Sequence, residues 1–270
     1  MSTPATLNPL LLSKFALWIA VVTLAAVLLA KRRVTSRVRV AFLVGGVLIF
    51  GLLYGLLLAR GTNPNPVLSV RNLMAALLVK HRLVAPVAAM LIVLLLMVFV
   101  SNKSICGWGC QLGLFQDLLY RVPLPKWKPP FWFSNGVRFV AFIALVAGLG
   151  MAGVDWVKGV DPFQLFAFKF TVGIALFSAA VVIASLFIYR PWCQFLCPFG
   201  LVGWLVEQVS LLRPRINREA CKGCKLCVKA CPSNAMADFY DGKKIHADCF
   251  SCGACIEACP VKDALGWRLK

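Results

Sequence analysis

Eight cysteines near the end of the chain constrain it more than any other feature. They read Cys221-x2-Cys224-x2-Cys227-x3-Cys231-Pro232, then Cys249-x2-Cys252-x2-Cys255-x3-Cys259-Pro260. A single Cys-x2-Cys leaves zinc or a redox dithiol open. Structural zinc uses separated pairs, not four cysteines run together. Two matching quartets, each closed by Cys-Pro, point to iron–sulfur chemistry. In such runs three thiolates on one tight loop cap three irons of a cubane, and the fourth iron takes a distant cysteine.

The rest of the chain must feed or drain such centres, and composition says from where. The 270 residues are 60% hydrophobic and only 14% charged, whereas roughly a quarter of a soluble domain is charged. This reads as a membrane protein with a small soluble appendage. The formal net charge is +19, but the basic residues lie in loops beside apolar runs, not on a helix with base-reading partners. Nucleic acid is therefore not the expected partner; anionic membrane lipid is. All twelve cysteines fall into patterned quartets or pairs, which fits metal and redox chemistry in a reducing compartment rather than secreted disulfides.

Five apolar stretches are long enough, or nearly so, to span a bilayer: 15–30 (extended by Leu10 to Leu12), 40–59, 83–100, 136–157 and 170–189. The first is followed by Lys31, Arg32, Arg33, Arg37 and Arg39. A cleavable signal carries its basic end first and a small-residue cleavage site after, so a retained helix is expected. The Lys/Arg bias places the N-terminus outside and the loop 102–135 and the C-terminal module inside. The expected location is a bacterial inner membrane, crossed several times, with the cluster module cytoplasmic, where clusters are assembled. The connections 60–82 and 158–169, with Asn65-Pro66 and Asp161-Pro162, read as polar loops.

A second cysteine pattern stands at the membrane edge. Cys106-x3-Cys110-x2-Gly113-Leu114 follows the third stretch, and Cys193-x3-Cys197-x2-Gly200-Leu201 follows the fifth. Each is preceded by a helix, an Asn-Pro or Asp-Pro loop and another helix. This reads as a duplicated helical hairpin whose parallel copies bring the two pairs together at the cytoplasmic interface. Cysteines at i and i+4 share one helix face. Three readings stay open: one four-thiolate metal site, a dithiol relay, or small packing residues, since free cysteine is often simply buried.

With these motifs the chain resembles, over roughly 40–260, the NapH-type family of membrane-bound ferredoxins, which takes in the membrane cores of NosR-like and CcoG-like proteins. In that family each membrane pair is usually Cys-x3-Cys-Pro; here Pro198 follows Cys197, but Gln111 follows Cys110. The C-terminal spacing is similar to that of two-cluster bacterial ferredoxins. It implies two [4Fe–4S] clusters, one on Cys221, Cys224, Cys227 and Cys259, the other on Cys249, Cys252, Cys255 and Cys231.

The expected fold is thus an α-helical polytopic membrane protein joined to a C-terminal α+β two-cluster ferredoxin-like domain. It divides into a first helix and basic loop (1–39), a membrane domain with two repeats (40–212) and the ferredoxin domain (213–270). In the last, 237–246 with Asp241-Gly242 reads as a β-hairpin turn. Short helices are expected after Cys227 and Cys255. Lys222, Lys225, Lys229, Lys243 and Lys244 offer a docking face for an acidic partner.

The resemblance implies single-electron transfer between the quinone pool and a partner redox protein or reductase subunit. Asp155, Asp161 and Glu207 border the membrane and are candidate proton acceptors for a quinol headgroup. Two other readings remain: a CcoG-type copper reductase whose Cys-x3-Cys pairs contact the metal, and a non-catalytic anchor or assembly protein with structural clusters. The spans hold no facing histidines for haem b, and the chain has neither Cys-x2-Cys-His nor a flavin motif. Neither haem nor bound flavin is expected.

Overall fold

A computed structural model of the chain describes residues 9–57, 64–168 and 171–269. Three helices of 22 residues are long and apolar enough to cross a membrane: α1 (Pro9–Ala30), α2 (Ser36–Leu57) and α6 (Phe131–Ala152). At 1.5 Å per residue each reaches roughly 33 Å, about the thickness of the hydrocarbon core. Two further apolar helices are shorter, Ala85–Ser101 (α4) and Val172–Phe187 (α8). Three helices therefore meet the length criterion for a crossing among the described residues, where the sequence suggested five.

The boundaries follow local chemistry. Thr35 caps α2 by accepting from Val38 N, and Thr171 caps α8 by accepting from Ile174 N. α6 starts directly after Pro129-Pro130, five residues before the expected span, and stops where Gly153 turns left-handed at φ 62°. The last residues of that expected span form a separate short helix, α7 (Trp156–Val160), capped by Asp155. Both α2 and α6 carry a π-helical stretch, Val47–Leu53 and Gly148–Ala152. At Gly51 in the first, a Cβ would lie 2.8 Å from the Phe166 ring, so that wall of the helix admits no side chain.

The two Asx-Pro connections are not polar loops. Residues 58–63 lie outside the described part, but Asn65-Pro66 starts a helix, α3 (Pro66–Leu78), with Asn65 Oδ1 accepting from Leu68 N at 2.9 Å. Asp161-Pro162 starts a 3-10 turn, Pro162–Ala167, with Asp161 accepting from Phe163 N at 3.1 Å. Proline is at home in a first helical turn because its missing N–H is not needed there. Both starts are buried: Asn65, Pro66, Val67, Asp161, Pro162 and Phe163. Each connection thus folds back into the protein interior.

In the C-terminal module, β1 (Leu212–Ile216) pairs antiparallel with β2 (Leu265–Leu269), with Pro214 opposite Trp267. Short helices Leu226–Ala230 and Ala254–Glu257 follow the first thiols of each run. The hairpin expected at 237–246 is instead a helix, Ala235–Asp241, ended by Gly242 at φ 71°. Asp-Gly serves equally as a helix C-cap, and the flanking residues lack the alternation a hairpin needs.

The module is locked to the membrane part. The Arg32 guanidinium, on the loop after α1, donates to the carbonyls of Ile256, Cys259 and Lys262 at 3.1, 3.0 and 2.6 Å, and also to that of Leu265. Lys128 Nζ donates to the Cys231 carbonyl at 2.7 Å. Trp108 Nε1 donates to Ser251 O at 2.8 Å, and Trp267 Nε1 to Ser101 Oγ at 3.2 Å. The basic loop, the Cys106–Cys110 turn and the module therefore share one side. At Gly107 a Cβ would lie 2.1 Å from the Phe250 carbonyl oxygen. Gly107→Ala is accordingly expected to push the module off its seat at a cost of about 1–3 kcal/mol, read as a lower thermal midpoint and faster proteolysis of the C-terminal module.

Candidate iron–sulfur site

The eight C-terminal cysteines fall into two cavities. One is lined by Cys221, Cys224, Cys227 and Cys259, together with Ile216 and Tyr240. The other is lined by Cys231, Cys249, Cys252 and Cys255, with Met236 and Trp267. Each takes three cysteines from one run and the fourth from the other. The two tight loops achieve this alike: Gly223 and Lys225 are left-handed in the first, Ser251 and Gly253 at the same positions in the second. A left-handed step costs an L residue about 1–2 kcal/mol, so each loop places glycine at one of its two.

The donor sets fit iron–sulfur clusters. Burial pushes the Cys249 and Cys255 thiols well above their usual range, and neighbouring acidic groups, Glu207 for the one and Cys252 for the other, push them further. Four such sulfurs become thiolates together only when a cationic centre compensates them. The first cavity opens at the surface, where Cys224 is exposed beside Lys222 and Lys225. The second faces the membrane part through Phe250 and Ser251.

The four remaining cysteines also converge. Cys106, Cys110, Cys193 and Cys197 are all buried and line one chamber, closed by Pro66, Val67, Phe163 and Trp192. They do not lie along a continuous helix face, as the i, i+4 spacing suggested. Cys106 lies in a π turn, Ile105–Gly109, and Cys193 in a short helix, Pro191–Phe195. Cys110 and Cys197 are extended residues that cap the next helices, α5 (Gln111–Tyr120) and α10 (Pro198–Glu207). The motif glycines explain the spacing. A Cβ on Gly113 would meet Cys106 O at 2.8 Å, and one on Gly200 would meet Cys193 O at 2.6 Å, so only glycine lets each helix fold back over its cysteine turn.

Two buried ionic clusters hold these turns, and the sequence reading missed both. Asp117 accepts from Arg39 at 2.8 Å, Arg190 at 2.9 Å and the Tyr189 hydroxyl at 3.0 Å. Arg190 also donates to Cys106 O at 2.6 Å, and Arg39 to Gly107 O at 2.8 Å. In the second cluster Asp248 pairs with Arg138 at 3.0 Å and with Lys103. Arg138 donates to Cys193 O at 3.2 Å, and Lys103 to Gly200 O at 2.9 Å. Glu207 accepts from Cys249 N at 3.2 Å beside Lys103.

Arg39, in the basic run after the first apolar stretch, and Lys103, in the loop 102–135, are both buried and do not face lipid as loop charges would. The available signals were an arginine at the start of an apolar run (Arg39, Arg138) and a cation three residues before each first cysteine (Lys103, Arg190). Of the acids named as proton acceptors, Asp155 pairs with Arg71, Asp161 caps its turn, and Glu207 belongs to the second cluster. Burial, helped by Asp248 and opposed by Lys103, pushes the Glu207 carboxyl up to about 8.

Comparison with known proteins also points to iron–sulfur binding. A 4Fe-4S dicluster domain matches residues 213–260, and a 4Fe-4S binding domain matches twice, at 83–130 and 170–219. YccM of Escherichia coli K12, named for electron transport, is 27% identical over 192 residues, covering 64% of this chain and 54% of its own. The regulatory protein NosR of Pseudomonas aeruginosa is 24% identical over 144 residues, 48% of this chain and 20% of its own. MauN of Paracoccus denitrificans, a methylamine utilization ferredoxin-type protein, is 25% identical over 151 residues, 53% of this chain and 52% of its own. The chain spans little more than half of YccM and a fifth of NosR. No solved structure matches.

Helices long and apolar enough to cross a membrane, joined to a cysteine-built module that a 4Fe-4S dicluster domain matches, are the features of a membrane protein with iron–sulfur-binding domains. The chain is similar to NosR and NirI and to the ferredoxin-type protein MauN.

Proposed function

We propose that this chain passes single electrons between the membrane quinone pool and a partner reductase. In this reading two [4Fe–4S] clusters are held by the cysteines of the two C-terminal cavities. Bound there, they supply one-electron carriers. The chain supplies the thiolates, excludes water from the second cavity with Phe250 and Trp267, and fixes that cavity against the membrane helices. The observation that carries the reading is the order of the two cavities, one seated on the membrane part and the other opening beside Cys224 at the surface. That order suits a path from lipid to a soluble partner. The side carrying the module is read as cytoplasmic, in accord with Lys31, Arg32, Arg33 and Arg37 on the adjoining loop.

Lys222 and Lys225 rim the outer cavity and would meet an acidic patch on the partner. Reversing both to glutamate is expected to slow electron delivery to the partner at least tenfold at low salt, with the difference shrinking as salt screens the encounter. Stopped-flow reoxidation of the reduced protein by membrane-free cell extract, measured against ionic strength, checks this. The proposed function itself is tested by mixing oxygen-free protein with quinols of graded potential. Cluster reduction within the mixing experiment is expected; clusters that stay oxidised with every quinol would reject the reading.

A further inference from the structure

We propose that Cys106, Cys110, Cys193 and Cys197 bind a third iron–sulfur cluster, shared between the two halves of the membrane domain. The proposal deepens the iron–sulfur reading above and rests on it. Each of the two 4Fe-4S binding matches contains only two of these cysteines. Neither half makes a four-thiolate site alone; the fold makes one from both.

Four observations carry it. First, the chamber is lined by four cysteines, as each ferredoxin cavity is. Second, its donors are all sulfur, and they already receive N–H groups. Gly200 N donates to Cys197 Sγ at 3.3 Å, and Gln116 Nε2 to Cys193 Sγ at 3.8 Å. Trp192 lines the chamber at 1% exposure, and its indole N–H has no partner among the described residues.

Third, the charge balance suits an anion. A cluster on four thiolates is anionic, and an apolar site tolerates it only beside compensating cations. Lys103, Arg138 and Arg190 surround the cysteine turns, all at 0% exposure and each bonded to a carbonyl of a Cys-x3-Cys motif or its glycine, and with Arg39 they outnumber the carboxylates they pair with, Asp117, Asp248 and Glu207. Fourth, Phe250 lines both the chamber and the inner ferredoxin cavity. Phe250 is thus a wall common to both, and a cluster in the chamber would stand next to the inner ferredoxin cavity on the electron path. The chamber's apolar walls include Val67 and Phe163 from the two folded-back connections.

The test counts iron without relying on activity. The full chain is purified anaerobically with 57Fe, and iron, sulfide and zinc are measured together with its Mössbauer spectrum. We expect about 12 irons per chain, three cubanes' worth. Cys193→Ser/Cys197→Ser is expected to lose about four of them while keeping the reduced-state EPR signals of the ferredoxin module. Wild-type protein with only about eight irons overturns the third site, whether or not the variant folds. So does a stoichiometric zinc, or iron content unchanged in the variant. Failure of the wider reading looks different: the EPR signals of the ferredoxin module are then absent from the wild type as well.

Discussion

Serine at Cys231 is expected to strip the inner ferredoxin cavity of iron and leave the outer one loaded. Cys231 belongs to the first run in sequence but lines the second cavity in space. If each run held its own cluster, the same substitution would empty the outer cavity. The outcome therefore reports which cysteines share a site. About half of the module's iron is expected to be lost, and the surviving EPR signal is expected to be the one broadened by a relaxing agent at the surface, because Cys224 is exposed. The stability effect is also large. Metal binding in small domains supplies roughly 10 kcal/mol or more of folding free energy, and this module has only a two-stranded sheet and short helices besides. The inner half, Cys249 to Cys255, is expected to become protease-sensitive, while α1 and α2 stay protected.

Asp117→Asn is expected to destabilise the protein by about 3–5 kcal/mol, because it leaves Arg39 and Arg190 buried without their shared counter-charge. Burial alone would push the Asp117 carboxyl up, but the two guanidiniums outweigh it and hold the group well below the usual carboxylate range. The sign of the pH dependence follows. Since the folded pKa lies below the unfolded value, the contribution is fully present above about pH 4 and is lost as pH falls below that toward the folded value. Wild-type protein in detergent is therefore expected to lose thermal stability on acidification below pH 4. The variant, already low, is expected to lose less over the same interval. Both cations also bond the carbonyls of Cys106 and Gly107, so the variant is expected to loosen the first cysteine turn as well. Parallel thermal curves for the two proteins on acidification would remove Asp117 from this role.

Some of this was legible in the sequence and some was not, for identifiable reasons. The cysteine runs were readable because the tight loops need fixed spacing, and the first, second and fourth apolar stretches because lipid demands length. The Asx-Pro connections misled. Asn65-Pro66 and Asp161-Pro162 are equally good turn formers and helix starts, and only tertiary burial of Val67 and Phe163 decides between the two. Asp241-Gly242 carried the same ambiguity between hairpin turn and helix cap. Arg39, Lys103, Arg138 and Arg190 were missed as a group because their meaning is pairwise. A buried cation is recognisable only once Asp117 and Asp248 arrive, from 78 residues away for Arg39 and 145 for Lys103. The convergence of the two Cys-x3-Cys pairs was expected from the repeat, but what they form was left among three readings, because the chamber is lined from five separate segments.

The proposed function is that this chain exchanges electrons with the membrane quinone pool through cysteine-bound iron. It is tested most directly by rapid freeze-quench EPR of oxygen-free, iron-loaded protein mixed with a low-potential quinol in lipid nanodiscs. The account predicts cluster signals that rise as quinol is consumed and are lost in Cys231→Ser for the inner site alone. Iron-replete protein whose clusters remain EPR-silent and oxidised after mixing would contradict it.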